Sequence, residues 1–268
     1  MKQTNLQKQL VAVAVGGLFA LGMTTQAAAA GIFQYDLDGL SGNGDTVTAN
    51  AIQGAANESL SLLASGTTLS GQGWVKFTTF QLNSVPDDNL SYGDTNLFAV
   101  FNITTELTGG TVGAAGSAYK VTNFTFDVYK DLGPANTFTV ANAASSIHAS
   151  VTINGTDDHI ASGELVKGDA NIQAVNGAAI NVETTFDLVA GTGKKYFFSP
   201  DPFYNVLKAG FTSTGGNWAF ANNMLAVGSA TGIIDFRNKV PEPATLALLG
   251  IGLLGFGARK VIAIHKKA

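Results

Sequence analysis

The sequence predicts a mainly β, antiparallel single domain of the β-sandwich or jelly-roll-like kind, set between two short hydrophobic ends. Three observations lead there. Apolar and polar residues alternate with period two over many short runs. Turn-forming residues fall between those runs. The composition is rich in glycine (32 of 268 residues), only 13% charged and free of cysteine. The missing cysteines exclude disulfides, thiolate metal sites and cysteine nucleophiles, so core packing and strand pairing must hold the domain.

The alternation is clearest in Phe101-Asn102-Ile103-Thr104-Thr105-Glu106-Leu107, in Asn123-Phe124-Thr125-Phe126-Asp127-Val128 and in Val182-Glu183-Thr184-Thr185-Phe186-Asp187-Leu188. Each run turns one face to a core and one to water. Further strands are expected over 74–82, 147–153, 160–166, 196–199 and 224–236. Turns are expected at Val85-Pro86-Asp87, Thr108-Gly109-Gly110, Asn176-Gly177 and Gly215-Gly216-Asn217. Asn154-Gly155 predicts a hairpin, because this dipeptide suits a type I′ turn. Short helices are expected over 53–64, around Glu58, and over 141–146.

Residues 1–30 have the three parts of a secretory signal. Lys2 and Lys8 precede an apolar run from Leu10 to Met23, and Ala27 to Ala30 supply the small residues that signal peptidase admits. The run is too short to span a bilayer core, which needs ~20 apolar residues. Residues 31–239 form the domain. Residues 240–268 hold Pro241-Glu242-Pro243, an uncharged stretch from Ala244 to Ala258, and Arg259-Lys260. As a helix that stretch covers ~22 Å against a ~30 Å hydrocarbon core, and the basic pair stays cytoplasmic. It reads as a short transmembrane helix acting as a temporary anchor.

That tail resembles the PEP-CTERM signal of exopolysaccharide-producing Gram-negative bacteria. Pro241, Glu242 and Pro243 are the sorting motif, and Arg259 and Lys260 the basic stop. The resemblance implies recognition by an exosortase-type membrane protease, with transient anchoring in the inner membrane and then release to the cell surface or extracellular matrix. The chain runs on past the basic pair to Ala268, farther than that family usually does. Gly250-Ile251-Gly252-Leu253-Leu254-Gly255 fits a dinucleotide fingerprint only as a string. No strand precedes it and no ribose-binding acid follows, so the glycines read as small residues of the anchor.

Setting both ends aside, residues 31–243 keep 9 of 15 basic residues and all 19 acidic ones, a balance of 9 − 19 = −10. Such a protein repels nucleic acid. His148 and His159 are too few for a zinc site without further ligands. No G-x-S-x-G elbow occurs. Gly191-Thr192-Gly193-Lys194-Lys195 lacks the first glycine and the Ser/Thr of a phosphate loop and reads as a turn. Asp36, Asp38, Asn43 and Asp45 gather oxygen ligands among glycines and are a possible Ca²⁺ loop, although no EF-hand pattern is met. Asp157-Asp158 opens a second acidic loop. Trp74, Tyr196, Phe197, Phe198, Phe203, Tyr204 and Trp218 are aromatic residues that could stack on sugars, but neighbours in a strand face opposite sides.

The middle region resembles the flocculation-associated group of PEP-CTERM proteins. The matching stretches are Leu97 to Phe101, Phe126 to Tyr129, Asp157 to Leu165 and Lys195 to Tyr204. This resemblance implies cell aggregation with exopolysaccharide, in flocs or biofilm, and supplies no catalytic residue. The expected function is therefore a non-catalytic exported surface or matrix protein associated with exopolysaccharide. The alternative is a secreted polysaccharide-acting enzyme using acids such as Asp157 and Glu164.

Overall fold

In the computed structural model, which describes residues 30–40, 45–87, 96–173, 177–213 and 216–238, the alternating runs become long paired strands. In chain order they are β1 (Phe33–Asp36), β2 (Thr46–Ala49), β3 (Ala51–Leu62), β4 (Thr68–Leu82), β5 (Val85–Pro86), β6 (Leu97–Gly109), β7 (Ala118–Asp131), β8 (Thr137–Thr139), β9 (Ser150–Thr152) and β10 (Asp157–Gln173). There follow β11 (Gly177–Thr185), β12 (Asp187–Leu188), α1 (Gly193–Tyr196), β13 (Phe197–Ser199), β14 (Val206–Thr212), β15 (Trp218–Ala221) and β16 (Met224–Arg237). The expected signal sequence, apart from Ala30, and the expected C-terminal anchor lie outside the described residues. Among the described residues no helix is long and apolar enough to cross a membrane.

The domain is mainly β and antiparallel, as the alternation predicts. Within that class its principal sheet is a single closed ring rather than two stacked layers. The ring runs β3-β4-β6-β7-β10-β11-β14-β16, each long strand pairing with the next in the chain. It is closed by β16 against β3, from Met224 opposite Ser61 to Asp235 opposite Ala51. Closure leaves these eight strands without an unpaired edge.

The inner wall explains several of the glycines. Gly73 lies directly across from Phe101, Gly163 from Phe126 and Gly232 from Phe211. A Cβ added at any of the three would collide with the ring of its partner. Each phenylalanine thus occupies the space its cross-strand glycine leaves, which fits large rings into a narrow barrel. At one end Phe33, Tyr35, Phe80, Phe186, Phe197, Phe203 and Phe236 close the interior. A small sheet, in the order β13-β1-β2, lies over this end and carries three of those rings. One acid, Glu58, sits on the inner wall, because it pairs with Gly73, which faces the core ring of Phe101, and with Val227, itself core.

Five local expectations are corrected. Val85-Pro86 is not a turn but β5, paired with the end of β4, because Asn83 and Ser84 take the turn with positive φ of 54° and 67°. Residues 53–64 are not a helix but most of β3. Ile52, Gly54, Ala56, Glu58 and Leu60 share one face, and pairing on both sides overrides the helix preference of Ala and Glu. Residues 141–146 form a turn closed by the Asn142–Ile147 bridge, with the Asn142 side chain accepting the Ser145 N–H at 3.2 Å. Six residues give too little propagation to offset helix nucleation. Asn154-Gly155 links β9 to β10, yet these strands do not pair. Asn154 instead donates to the Ala135 carbonyl at 2.8 Å and Thr137 Oγ1 at 3.1 Å, and β9 pairs with β8. Tyr196 ends α1, so the strand expected at 196–199 begins at Phe197.

Candidate functional site

The segment between β7 and β10 forms a strap across the outside of the barrel. Its own sheet, β8 with β9, is only two strands. It is tied down because outward side chains of β3 and β4 meet its backbone. Trp74 Nε1 donates to the Thr139 carbonyl at 2.9 Å, and Gln72 Nε2 to the Ala149 carbonyl at 2.8 Å. Ser59 Oγ accepts the Ala149 N–H at 3.0 Å and lies 3.2 Å from His148 Nδ1. Ala143 packs on Met224 and Ala226 of β16, a small second core outside the barrel.

Between strap and wall runs a groove of about 430 Å³. Phe138 of β8 meets Trp74 and Phe98 edge to face, with centroids 5.1 and 5.5 Å apart. The Lys76 ammonium stands 4.0 Å from the Phe138 centroid, a cation–π contact. Lys76, Phe98, Tyr129 and His159 form one outward rung, since each is the direct partner of the next across β4, β6, β7 and β10. Tyr129 stacks on both Phe98 and His159. Burial, and the Asp127 and Asp157 charges behind it, push its phenol up. His159 Nε2 lies 3.1 Å from Asp127 Oδ1.

Polar groups gather at one end of the groove. Asp131 accepts the N–H groups of Gly133 and Asn136 at 2.8 and 3.1 Å. The Asn136 amide donates to Asp157 Oδ2 at 2.8 Å, and its oxygen accepts the Asn154 N–H at 2.9 Å. Asp131 and Asp157 face each other across β7 and β10. An aromatic wall with an ammonium, an amide and a carboxylate at its edge suits a hydroxyl-rich, uncharged ligand. Phe138, Lys76 and Asn136 were not singled out in the sequence. For Asn136 and Phe138 the only signal is the short alternation of Thr137-Phe138-Thr139, which says nothing of what it faces, and Lys76 is one polar residue of the strand expected over 74–82.

The sequence-predicted residues have varied fates. Trp74 is in the groove wall, almost covered by the strap. Tyr196, Phe197 and Phe203 are core. Tyr204 donates its hydroxyl to the Ile32 carbonyl at 2.9 Å. Trp218 packs against the main core, and Phe198 is exposed. Asp158 accepts the Tyr196 hydroxyl at 2.7 Å, and burial, aided by this bond, pushes that phenol above its ordinary range. His148 and His159 are held by different partners, Ser59 and Asp127.

In the acidic loop, Asp36 is buried and spends its Oδ1 on the N–H groups of Asp38 and Gly39, at 3.2 and 2.8 Å. Asp38 Oδ1 accepts the Leu40 N–H at 2.8 Å, and the Asp45 carbonyl accepts the Leu37 N–H at 3.1 Å. Asn43 lies outside the described residues. Lys194 and Lys195 line the same surface hollow as Asp36, a poor setting for a cation. Among the described residues no group of three or more His, Asp or Glu is placed to hold a metal. Asp36→Ala is expected to cost ~1 kcal/mol through the lost turn bonds. Melting curves of parent and variant in chelator and in millimolar Ca²⁺ test the loop as a cation site: a midpoint that rises with Ca²⁺ in the parent alone would assign calcium to it, and an unchanged midpoint would remove calcium.

Residues 239–261 match the family model described as the PEP-CTERM protein-sorting motif. The chain carries a PEP-CTERM sorting signal. The match takes in Pro241, Glu242, Pro243, Arg259 and Lys260, which lie outside the described structure. The PEP-CTERM signal marks an exported protein, sorted by an exosortase at the membrane on its way to the cell surface. It covers the C-terminal segment alone and does not reach the stretches that resemble the flocculation-associated group. No curated protein and no solved structure matches the chain.

Proposed function

We propose that this is a non-catalytic component of the extracellular matrix of a Gram-negative bacterium, binding exopolysaccharide through the groove under the strap and so supporting cell aggregation in flocs or biofilm. On this reading signal peptidase removes residues 1–30 and an exosortase acts near Pro241-Glu242-Pro243. The groove carries the reading, because it joins aromatic surface to hydrogen-bonding groups on a rigid wall. The resemblance of 97–204 to the flocculation-associated group supports it.

The test uses polymer from the producing cells and protein recovered after export. Phe138→Ala and, as a variant that leaves the strap packed, Lys76→Gln are each expected to weaken polymer binding about tenfold, the scale of one lost contact of ~1.4 kcal/mol. Unchanged binding in both would remove the groove from the account. Polymer length is followed in the same samples. Depolymerisation by the parent but not by Asp157→Asn, Asp158→Asn or Glu164→Gln would replace the matrix role with the enzymatic one.

A further inference from the structure

The barrel interior is hollow beside Glu58. Two cavities, of about 40 and 20 Å³, flank its side chain. Small residues at Ala56, Ala209 and Ala230 open the larger one, and Val75, Phe101 and Phe211 wall it. Among the described residues the Glu58 carboxyl has no hydrogen-bond or ion-pair partner, and burial alone pushes its pKa to about 7. The one other titratable group lining these cavities is Tyr119, whose hydroxyl already accepts the Gly113 N–H at 2.9 Å. Glu58 is half-buried and lines both cavities without a partner, so its carboxyl is a group that a ligand in the hollow could satisfy.

We infer that the interior binds a small neutral molecule carrying a hydroxyl on a short aliphatic body, hydrogen-bonded to the Glu58 carboxyl. A carboxylic acid offers one O–H donor and one carbonyl acceptor, and a hydroxyl satisfies both. The aliphatic body fills the apolar hollow that Phe101 and Phe211 enclose. A neutral ligand brings no charge into the barrel, as an ammonium or a carboxylate would. The larger cavity exceeds the ~10–15 Å³ that one water needs, and its size limits the ligand to about five heavy atoms. The site is independent of the outer groove, and neither inference rests on the other.

Isobutanol is the probe, titrated into the exported protein and followed by ligand-observed NMR. Saturable binding is expected at pH 6 with Kd on the order of 1 mM, the scale for about five heavy atoms. Because the acid form is the receptor, affinity should fall about tenfold by pH 8, following one titration near 7. Glu58→Gln keeps a donor and an acceptor and should bind without that pH dependence. Glu58→Leu removes both the donor and the acceptor and should abolish binding. Propionate, with the same number of heavy atoms but ionised, should not bind at pH 8. If Glu58→Leu does not fold, the flat profile of Glu58→Gln and the propionate arm decide. No saturable binding, binding undiminished in Glu58→Leu, or crystals grown with isobutanol that show only water at Glu58 would overturn the inference.

Discussion

Phe236→Ala is expected to destabilise the domain by ~3–5 kcal/mol, the usual cost of removing a fully packed ring. Phe236 is 1% exposed. Its ring lies 4.8 Å from that of Phe186, 5.1 Å from Phe33, 5.3 Å from Phe203 and 5.6 Å from Phe197, mostly edge to face. These neighbours come from the cap sheet, from the chain leading to β14 and from the end of β11. Losing the ring therefore loosens the cap and the last barrel strand together. For a domain of this size the midpoint should drop on the order of 10 °C. Ile233→Ala is the control on the same strand. It is 49% exposed and should change stability by no more than ~0.5 kcal/mol. A loss below ~1 kcal/mol in Phe236→Ala would mean that the aromatic cluster does not close the barrel.

The expected strands are legible because period-two alternation is a property of a few consecutive residues. The runs at 101–107 and 123–128 fall inside β6 and β7, and 224–236 almost fills β16. Closure is not legible. It rests on β16 meeting β3, which lie at opposite ends of the domain, and no local pattern records that pairing. The glycine–phenylalanine pairs show the same limit. Nothing in the sequence around Gly73, Gly163 and Gly232 tells which ring each will face. The helix expected around Glu58 fails for a related reason. Alanine and glutamate favour a helix locally, but two neighbouring strands bind this segment and put its acid inside. The groove is least legible of all, because its walls come from β4, β6 and a strap some sixty residues farther on. Only the sorting tail could be read outright, since its information is linear: a short motif, an apolar stretch and a basic stop.

That linearity makes the tail the place where a small change has the largest effect on the life of the protein. Replacing Pro241, Glu242 and Pro243 together by alanine is expected to leave export intact, because the expected N-terminal signal is untouched, and to block release. Proline disfavours helical conformation in itself and in the residue before it, which suits a segment that must enter a protease cleft extended. Alanine is the strongest helix former and would let the apolar stretch continue as a helix through the motif. The variant should collect in the membrane fraction at a size that includes the tail, while the parent appears at the surface or in the medium without it. Changing Arg259 and Lys260 to alanine tests a separate step. With Lys266 and Lys267 changed as well, it removes the cytoplasmic charge that halts the tail, so the chain should slip through the membrane uncut. The two variants thus fail in opposite compartments, which fractionation and an antibody to the barrel can tell apart. Normal amount and size of the triple-alanine variant outside the cell would show that release does not depend on Pro241-Glu242-Pro243.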